Sequence, residues 1–185
     1  MTHYWSQEEY IKTYRYVAEA HRKQNVPGTC LPYIVHLSLV SMEVIAALNV
    51  EDVDNPDFAI QCALLHDIIE DQDYEYEEVN KNFGKKVADG VLALTKNNKL
   101  EESKQMKDSL ERIKQQPREI WMVKLADRIT NLQKPPKHWN QEKILRYREE
   151  ACDIWKNLKE ASPFLALRLR EKIDVYDQYL KNPGG

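Results

Sequence analysis

The sequence predicts an all-α protein, one bundle of eight or more helices, on three observations. Apolar residues recur at spacings of three and four through most segments, the period of a helix with one buried stripe. Only 5 glycines and 8 prolines punctuate 185 residues, too few for many short strands. No β-rich region, repeat, low-complexity tract or interdomain linker appears, so residues 1–185 read as one domain. With 42% hydrophobic and 31% charged residues, the chain has the composition of a globular domain with a substantial core.

The elements follow in order. Ser6 is a candidate N-cap, and Glu9 three residues later completes a capping box. Ile11, Tyr14, Val17, Ala18 and His21 then form one stripe. VPGTCLP (Val26–Pro32) breaks this helix and makes a loop. A second helix is expected over Tyr33–Leu48, and DNPD (Asp54–Asp57) separates it from a third, Phe58–Glu70. Tyr74–Gly84 reads as a short helix stopped by glycine, with another running on through Leu94. Leu100–Lys114 is charged and weakly amphipathic, and Pro117 opens a helix carrying MVKLADRITNL (Met122–Leu132). KPPKHW (Lys134–Trp139) interrupts the chain before two closing helices, about Gln141–Leu158 and Pro163–Leu180. In the last part Trp139, Trp155, Phe164, Leu165, Leu167 and Leu169 read as core, with a homo-oligomer surface as the alternative.

Charge and cysteine usage bear on partners. The formal net charge is -3 and no Lys/Arg block stands out, which disfavours nucleic acid and anionic membranes as partners. Cys30, Cys62 and Cys152 are odd in number and lack CxxC spacing, so free thiols in a reducing compartment are expected, Cys62 as a small core residue. MTHYWSQEEY lacks the basic and apolar regions of a signal peptide, and no run has the length of a membrane span. These features together predict a cytoplasmic protein.

Four residues break the apolar pattern: His36 between PYIV and LSLV, His66 and Asp67 ending CALLHD, and Asp127 in VKLAD. Each alone has a plain reading, a hydrogen-bonded core histidine or an aspartate paired with Lys124 or Arg128. Delivered by three helices to one place, they would bury uncompensated charge unless a cation joins them. Two imidazoles and two carboxylates without thiolate suit Mn²⁺, Fe²⁺ or Zn²⁺ better than Ca²⁺. An ion that prefers six ligands would keep positions for water and a substrate oxygen. Glu70 and Asp71 lie one helical turn beyond His66 and Asp67, where carboxylates can handle the proton of an attacking water; the alternative is a solvated helix end. Asn131, one turn after Asp127, can donate to a substrate oxygen or orient a ligand, and Lys124, one turn before, can meet phosphate charge.

PYIVH, LLHDIIED and VKLADRITNL, in this order and spacing over about Tyr10–Leu132, resemble the HD superfamily of metal-dependent phosphohydrolases. More narrowly, they are similar to the hydrolase domain of RelA/SpoT-type proteins and to stand-alone small alarmone hydrolases. The resemblance implies an HD-type helical bundle with its motifs in about 10–132 and further helices in about 141–180. It implies one Mn²⁺ held by His36, His66, Asp67 and Asp127, with Glu70 and Asp71 at the catalytic water and Asn131 near ribose and phosphate. The implied reaction removes pyrophosphate from the 3′ position of a nucleotide alarmone such as (p)ppGpp. Long family members carry a synthetase and regulatory domains after this one, for which 185 residues ending in KNPGG have no room, so hydrolysis alone is expected.

Two positions depart from the family pattern. The loop before PYxxH carries an Arg-Lys pair in RelA/SpoT hydrolases, whereas here Asn25, Val26 and Pro27 stand near those positions. Arg22 and Lys23, slightly earlier, are the basic residues left to meet substrate, and an adenine alarmone, (p)ppApp, becomes an option beside guanine. Leu37 replaces the proline after the metal histidine. Two other functions compete: a phosphohydrolase of another nucleotide, such as NADPH or a nucleoside monophosphate, and a non-catalytic alarmone-binding or toxin-neutralising protein.

Overall fold

In a computed structural model, residues 4–181 are described; residues 1–3 and 182–185, which include the first residues of the amino-terminal reading and the NPGG end, lie outside them. Helix α1 (Gln7–Ala20) starts where Ser6 Oγ accepts the Glu9 N–H at 3.3 Å. The reciprocal half of the expected capping box is replaced, because Asp57 Oδ1 takes the Ser6 N–H at 2.6 Å. Its buried line also differs from the expected stripe. Thr13, Val17 and His21 face inward while Ile11 is exposed, and the Thr13 hydroxyl satisfies itself on the Glu9 carbonyl.

Helices α2 (Ile34–Leu48), α3 (Pro56–Leu65) and α8 (Arg118–Asn131) make the centre. Asn55 caps α3 through Phe58 N–H, and Pro56 fills its first turn, where a missing N–H costs nothing. Helix α8 is buried nearly all round, with Ile120, Met122, Val123, Leu125, Ala126 and Ile129 inaccessible. Burying each such aliphatic side chain stabilises by roughly 1.5–3 kcal/mol, so the segment that carries Asp127 is among the most firmly held. The HD pair splits the expected third helix: α3 ends at Leu65, and α4 (Ile68–Asp71) begins after it.

Two short helices, α5 (Tyr76–Phe83) and α6 (Lys85–Leu94), meet at Gly84, whose φ of 84° lies in the left-handed region that glycine alone adopts cheaply. Helix α6 approaches α8 closely: a Cβ on Gly90 would fall 2.5 Å from Ile120 Cδ1. Helices α7 (Glu102–Lys114) and α9 (Gln141–Leu158) follow the predicted bounds. A 3-10 turn (Lys159–Ala161) leads into α10 (Pro163–Tyr176), capped by Ser162, and a break at Asp177 sets off α11 (Gln178–Lys181) from the expected single closing helix. Eleven α-helices and no strand occur among the described residues.

Of the C-terminal apolar set, Leu165 and Leu169 are core, Trp139, Trp155 and Phe164 pack against it, and Leu167 is exposed. Cys62 is core, as expected, and Cys30 and Cys152 are free. No helix among the described residues is long and apolar enough to cross a membrane.

Candidate metal centre and active site

Adjacent residues on a regular helix diverge by about 100° and do not face one target. The break after Leu65 removes that obstacle. Asp67 adopts φ −102°, ψ −1°, outside regular helix geometry, and its carboxylate Oδ2 comes 2.9 Å from His66 Nε2. The ladder resumes at once, with Asp71 N–H donating to the Asp67 carbonyl at 2.9 Å. Glu70 and Asp71 therefore stay near the pair, as expected, although the helix beneath them is not continuous.

Helix α2 supplies His36 from its first turn. Its Nε2 lies 3.3 Å from His66 Nε2 and 3.5 Å from Asp67 Oδ2. Helix α8 supplies Asp127, whose Oδ1 is 3.6 Å from His36 Nε2 and 3.7 Å from His66 Nε2. All four sequence-predicted ligands thus converge, with His36, His66 and Asp67 as the tightest group.

These residues fit a divalent cation. The His66 Nδ1–H is committed to the Ala63 carbonyl at 2.8 Å, so Nε2 presents its lone pair to the cluster. The two imidazole Nε2 atoms lie 3.3 Å apart, and each faces an oxygen of Asp67 and of Asp127 at 2.9–3.7 Å. Neighbouring donors around an ion at about 2.1 Å lie roughly 3 Å from one another. Without the ion, a proton must stand in. Burial disfavours charged His66, but the Asp67 and Asp127 carboxylates outweigh it and raise its pKa well above the usual value. Conversely, burial opposes the Asp67 and Asp127 carboxylates, yet His66 beside the first and Lys124 beside the second hold both below the usual range.

Each carboxylate is aimed by a neighbour. The Tyr33 hydroxyl donates to Asp67 Oδ2 at 2.6 Å; burial and then the Asp67 charge raise its own pKa. Asp127 divides its oxygens, with Oδ2 receiving Lys124 Nζ at 3.1 Å and Oδ1 receiving Asn131 Nδ2 at 2.5 Å. Lys124 and Asn131 therefore hold a candidate ligand, and both also reach the cleft wall.

That cleft, about 220 Å³, opens beside the cluster, with Glu70, Asp71, Lys96 and Pro27 on its walls. Lys96 clamps Glu70 with its backbone N–H and its ammonium, each at 2.9 Å. Asp71 Oδ2 accepts from Gln24 Nε2 at 2.8 Å. Arg22 and Lys23 are not brought here. Both are exposed at the end of α1, and Arg22 pairs with Glu19 at 2.6 Å because an i,i+3 partner is nearer than the cleft. The preceding loop instead sends Pro27 to the wall.

Sequence reasoning missed Tyr33, Lys96 and Gln24 as site residues. Tyr33 had a signal, a polar tip inside the apolar PYIVH run. Lys96 and Gln24 had none, since their partners lie 26 and 47 residues away.

The HD domain model matches residues 13–163, most of the chain. The chain belongs to the HD domain family. Among the relatives of this HD chain, the zebrafish guanosine-3′,5′-bis(diphosphate) 3′-pyrophosphohydrolase MESH1 is 30% identical over 168 residues, covering 87% of this chain and 90% of that protein. The Drosophila melanogaster protein of the same name is likewise 30% identical over 168 residues, with 88% and 92% covered. A solved structure described as a metazoan SpoT orthologue that hydrolyses ppGpp superposes with a TM-score of 0.81 at 27% identity, over 96% of this chain and 99% of that one. The HD chain thus matches stand-alone relatives over nearly their whole length.

Proposed function

We propose that this HD chain is a Mn²⁺-dependent 3′-pyrophosphohydrolase of a purine nucleotide alarmone, (p)ppGpp or (p)ppApp, working in the cytoplasm. The observation that carries the reading is the convergence of His36, His66, Asp67 and Asp127 beside a cleft walled by Glu70 and Asp71. A single divalent ion bound there supplies the charge that polarises a phosphoryl oxygen and acidifies water. The chain's own groups do the rest. Glu70, held by Lys96, and Asp71 orient the water and take its proton as its oxygen bonds to the 3′ phosphorus. The bond from phosphorus to the ribose 3′ oxygen breaks, and the proton passes to that oxygen. Lys96 and Lys124 place positive charge on the cleft wall, where a pyrophosphate needs it. The names of the zebrafish and Drosophila relatives support the same reaction.

Pro27 at the wall, and the absence of Arg22 and Lys23 from it, support the adenine alarmone beside the guanine one. The same observation favours a second reading, a nucleotide phosphate monoester such as NADPH or a nucleoside monophosphate as substrate. Three unpaired cysteines support the cytoplasmic setting.

The test is turnover of ppGpp, pppGpp, ppApp, pppApp and NADPH with Mn²⁺ present and then chelated. Pyrophosphate release that stops on chelation is expected. Inertness on all four alarmones overturns the proposal, and phosphate release from NADPH alone establishes the second reading. The Asp71→Asn variant should bind Mn²⁺ and lose about 10²–10⁴-fold in kcat; undiminished turnover would remove Asp71 from the chemistry.

A further inference from the structure

The turn after α1 carries a set of buried and half-buried polar groups that the proposed reaction does not use. Gln24 is its hub. Its amide Nε2 donates to Asp71 Oδ2 at 2.8 Å, and because a carboxylate only accepts, the orientation of the Gln24 amide is determined. The Gln24 Oε1 must then face donors, and two stand there at 2.6 Å each: His21 Nδ1 and Gln72 Nε2. The first contact also settles the His21 tautomer, with its proton on Nδ1.

His21 is 2% exposed, and its ring lies parallel to Tyr33 with centroids 5.0 Å apart. Its Nε2 is buried with no hydrogen-bond partner. A buried nitrogen left unpaired is a cost that calls for an explanation. Holding Gln24 through Nδ1 provides one. Burial also lowers the His21 pKa, which keeps the ring in this neutral form. The Gln24 backbone carbonyl in turn accepts Tyr33 N–H at 2.9 Å, and the Tyr33 hydroxyl holds Asp67. One residue thus touches the proton-handling carboxylate with its side chain and the support of a metal ligand with its backbone.

We infer that Gln24 is a positioning residue: pinned by His21 and Gln72, its amide holds the Asp71 carboxylate in the orientation the reaction needs. The inference rests on the reading of Asp71 as a proton-handling group. Glu70 has a separate clamp in Lys96, so the two acids are aimed by different segments, the turn after α1 and the segment after α6.

Gln24→Leu keeps the volume and removes all three amide contacts. On whichever substrate of the panel turns over, it should lower kcat by roughly 10–100-fold, the scale of a misplaced catalytic group. KM should stay within about twofold, and Mn²⁺ affinity by titration calorimetry within about threefold. His21→Phe preserves the ring stack on Tyr33 but removes the Nδ1 donor, and should lower kcat by less. In the Gln24→Leu background His21→Phe should have no further effect, because its action runs through Gln24. An unchanged kcat in Gln24→Leu overturns the inference while leaving the proposed reaction standing. So does a kcat loss matched by equal losses in KM and Mn²⁺ affinity, or full additivity of the two substitutions. If the wild-type chain turns over nothing in the panel, the proposed reaction fails, and this inference with it.

Discussion

Two groups of buried and half-buried carboxylates contrast in the bundle, Glu43 and Glu51 beside α10, and Asp67 and Asp127 in the HD cluster. In the first, every acceptor has a donor. Arg168 forks onto both oxygens of Glu43 at 2.5 and 2.6 Å. Glu51 takes the Ser162 hydroxyl and the Phe164 N–H on one oxygen and Arg118 on the other. In the second, Tyr33 donates to Asp67 and Lys124 and Asn131 donate to Asp127, but two imidazole Nε2 atoms crowd against those same carboxylates at 2.9–3.7 Å. Burial of charge is common to both regions. What separates a structural ion pair from a site is whether acceptors outnumber the protons available to them, since only a shortage calls in a cation.

Removing an acceptor from each region tests that distinction most severely. Asp127→Ala should abolish Mn²⁺ binding and cut turnover by more than the roughly 100-fold that losing an outer partner costs. Calorimetry and pyrophosphate release read both. Retained Mn²⁺ affinity would mean that the cluster is not the metal site. Next in size, Tyr33→Phe deletes the hydroxyl that holds Asp67 while keeping the ring stack on His21. Mn²⁺ affinity should fall by about 10–100-fold with the fold intact.

In the self-satisfied region the loss should appear in stability alone. Glu43→Ala leaves Arg168 without its fork, but that side chain is 39% exposed and can turn to water. A loss of about 1–3 kcal/mol is expected, read as a melting temperature lower by several degrees, with kcat and Mn²⁺ affinity unchanged. A drop in kcat would show that the two regions are coupled.

The smallest effect is one of pH. The raised pKa of His66 stabilises the metal-free fold fully below about 6.5, and that contribution is lost as pH rises through the raised value. The lowered pKa values of Asp67 and Asp127 contribute above about 3.9 and are lost as pH falls toward them. The metal-free chain should therefore melt highest in mildly acidic solution and lose stability on the alkaline side. With Mn²⁺ present the slope should reverse, because the ion displaces the His66 proton and binds more tightly as pH rises. Identical pH profiles with and without Mn²⁺ would separate the His66 proton from the metal position.

Most helix bounds were legible in the sequence because caps and breakers act within a few residues: Ser6, Asn55 with Pro56, Gly84 and Ser162 each work on a neighbour at most four positions away. The four metal-binding candidates were legible for a related reason, as polar residues inside apolar runs. Illegible features had distant partners or needed side-chain orientation. Ile11 and Thr13 exchange expected places because α1 meets α3 at a rotation that periodicity leaves free by a residue or two. The Ser6 N–H goes to Asp57, 51 positions on, in place of the expected Glu9.

The sequence by itself determined the all-α class, the family and the set of candidate ligands, since each depends on residue type and local spacing. Tertiary structure alone decided that the third helix breaks at His66 and Asp67, because only convergence on a shared point requires neighbouring side chains to face the same way. Tertiary structure also decided which residues aim the acids. Tyr33, Lys96 and Gln24 reach Asp67, Glu70 and Asp71 across 34, 26 and 47 positions, and no local period carries such contacts. Arg22 and Lys23 show the converse: the right charge in the right neighbourhood of the sequence still ends outside the cleft when the backbone turns away.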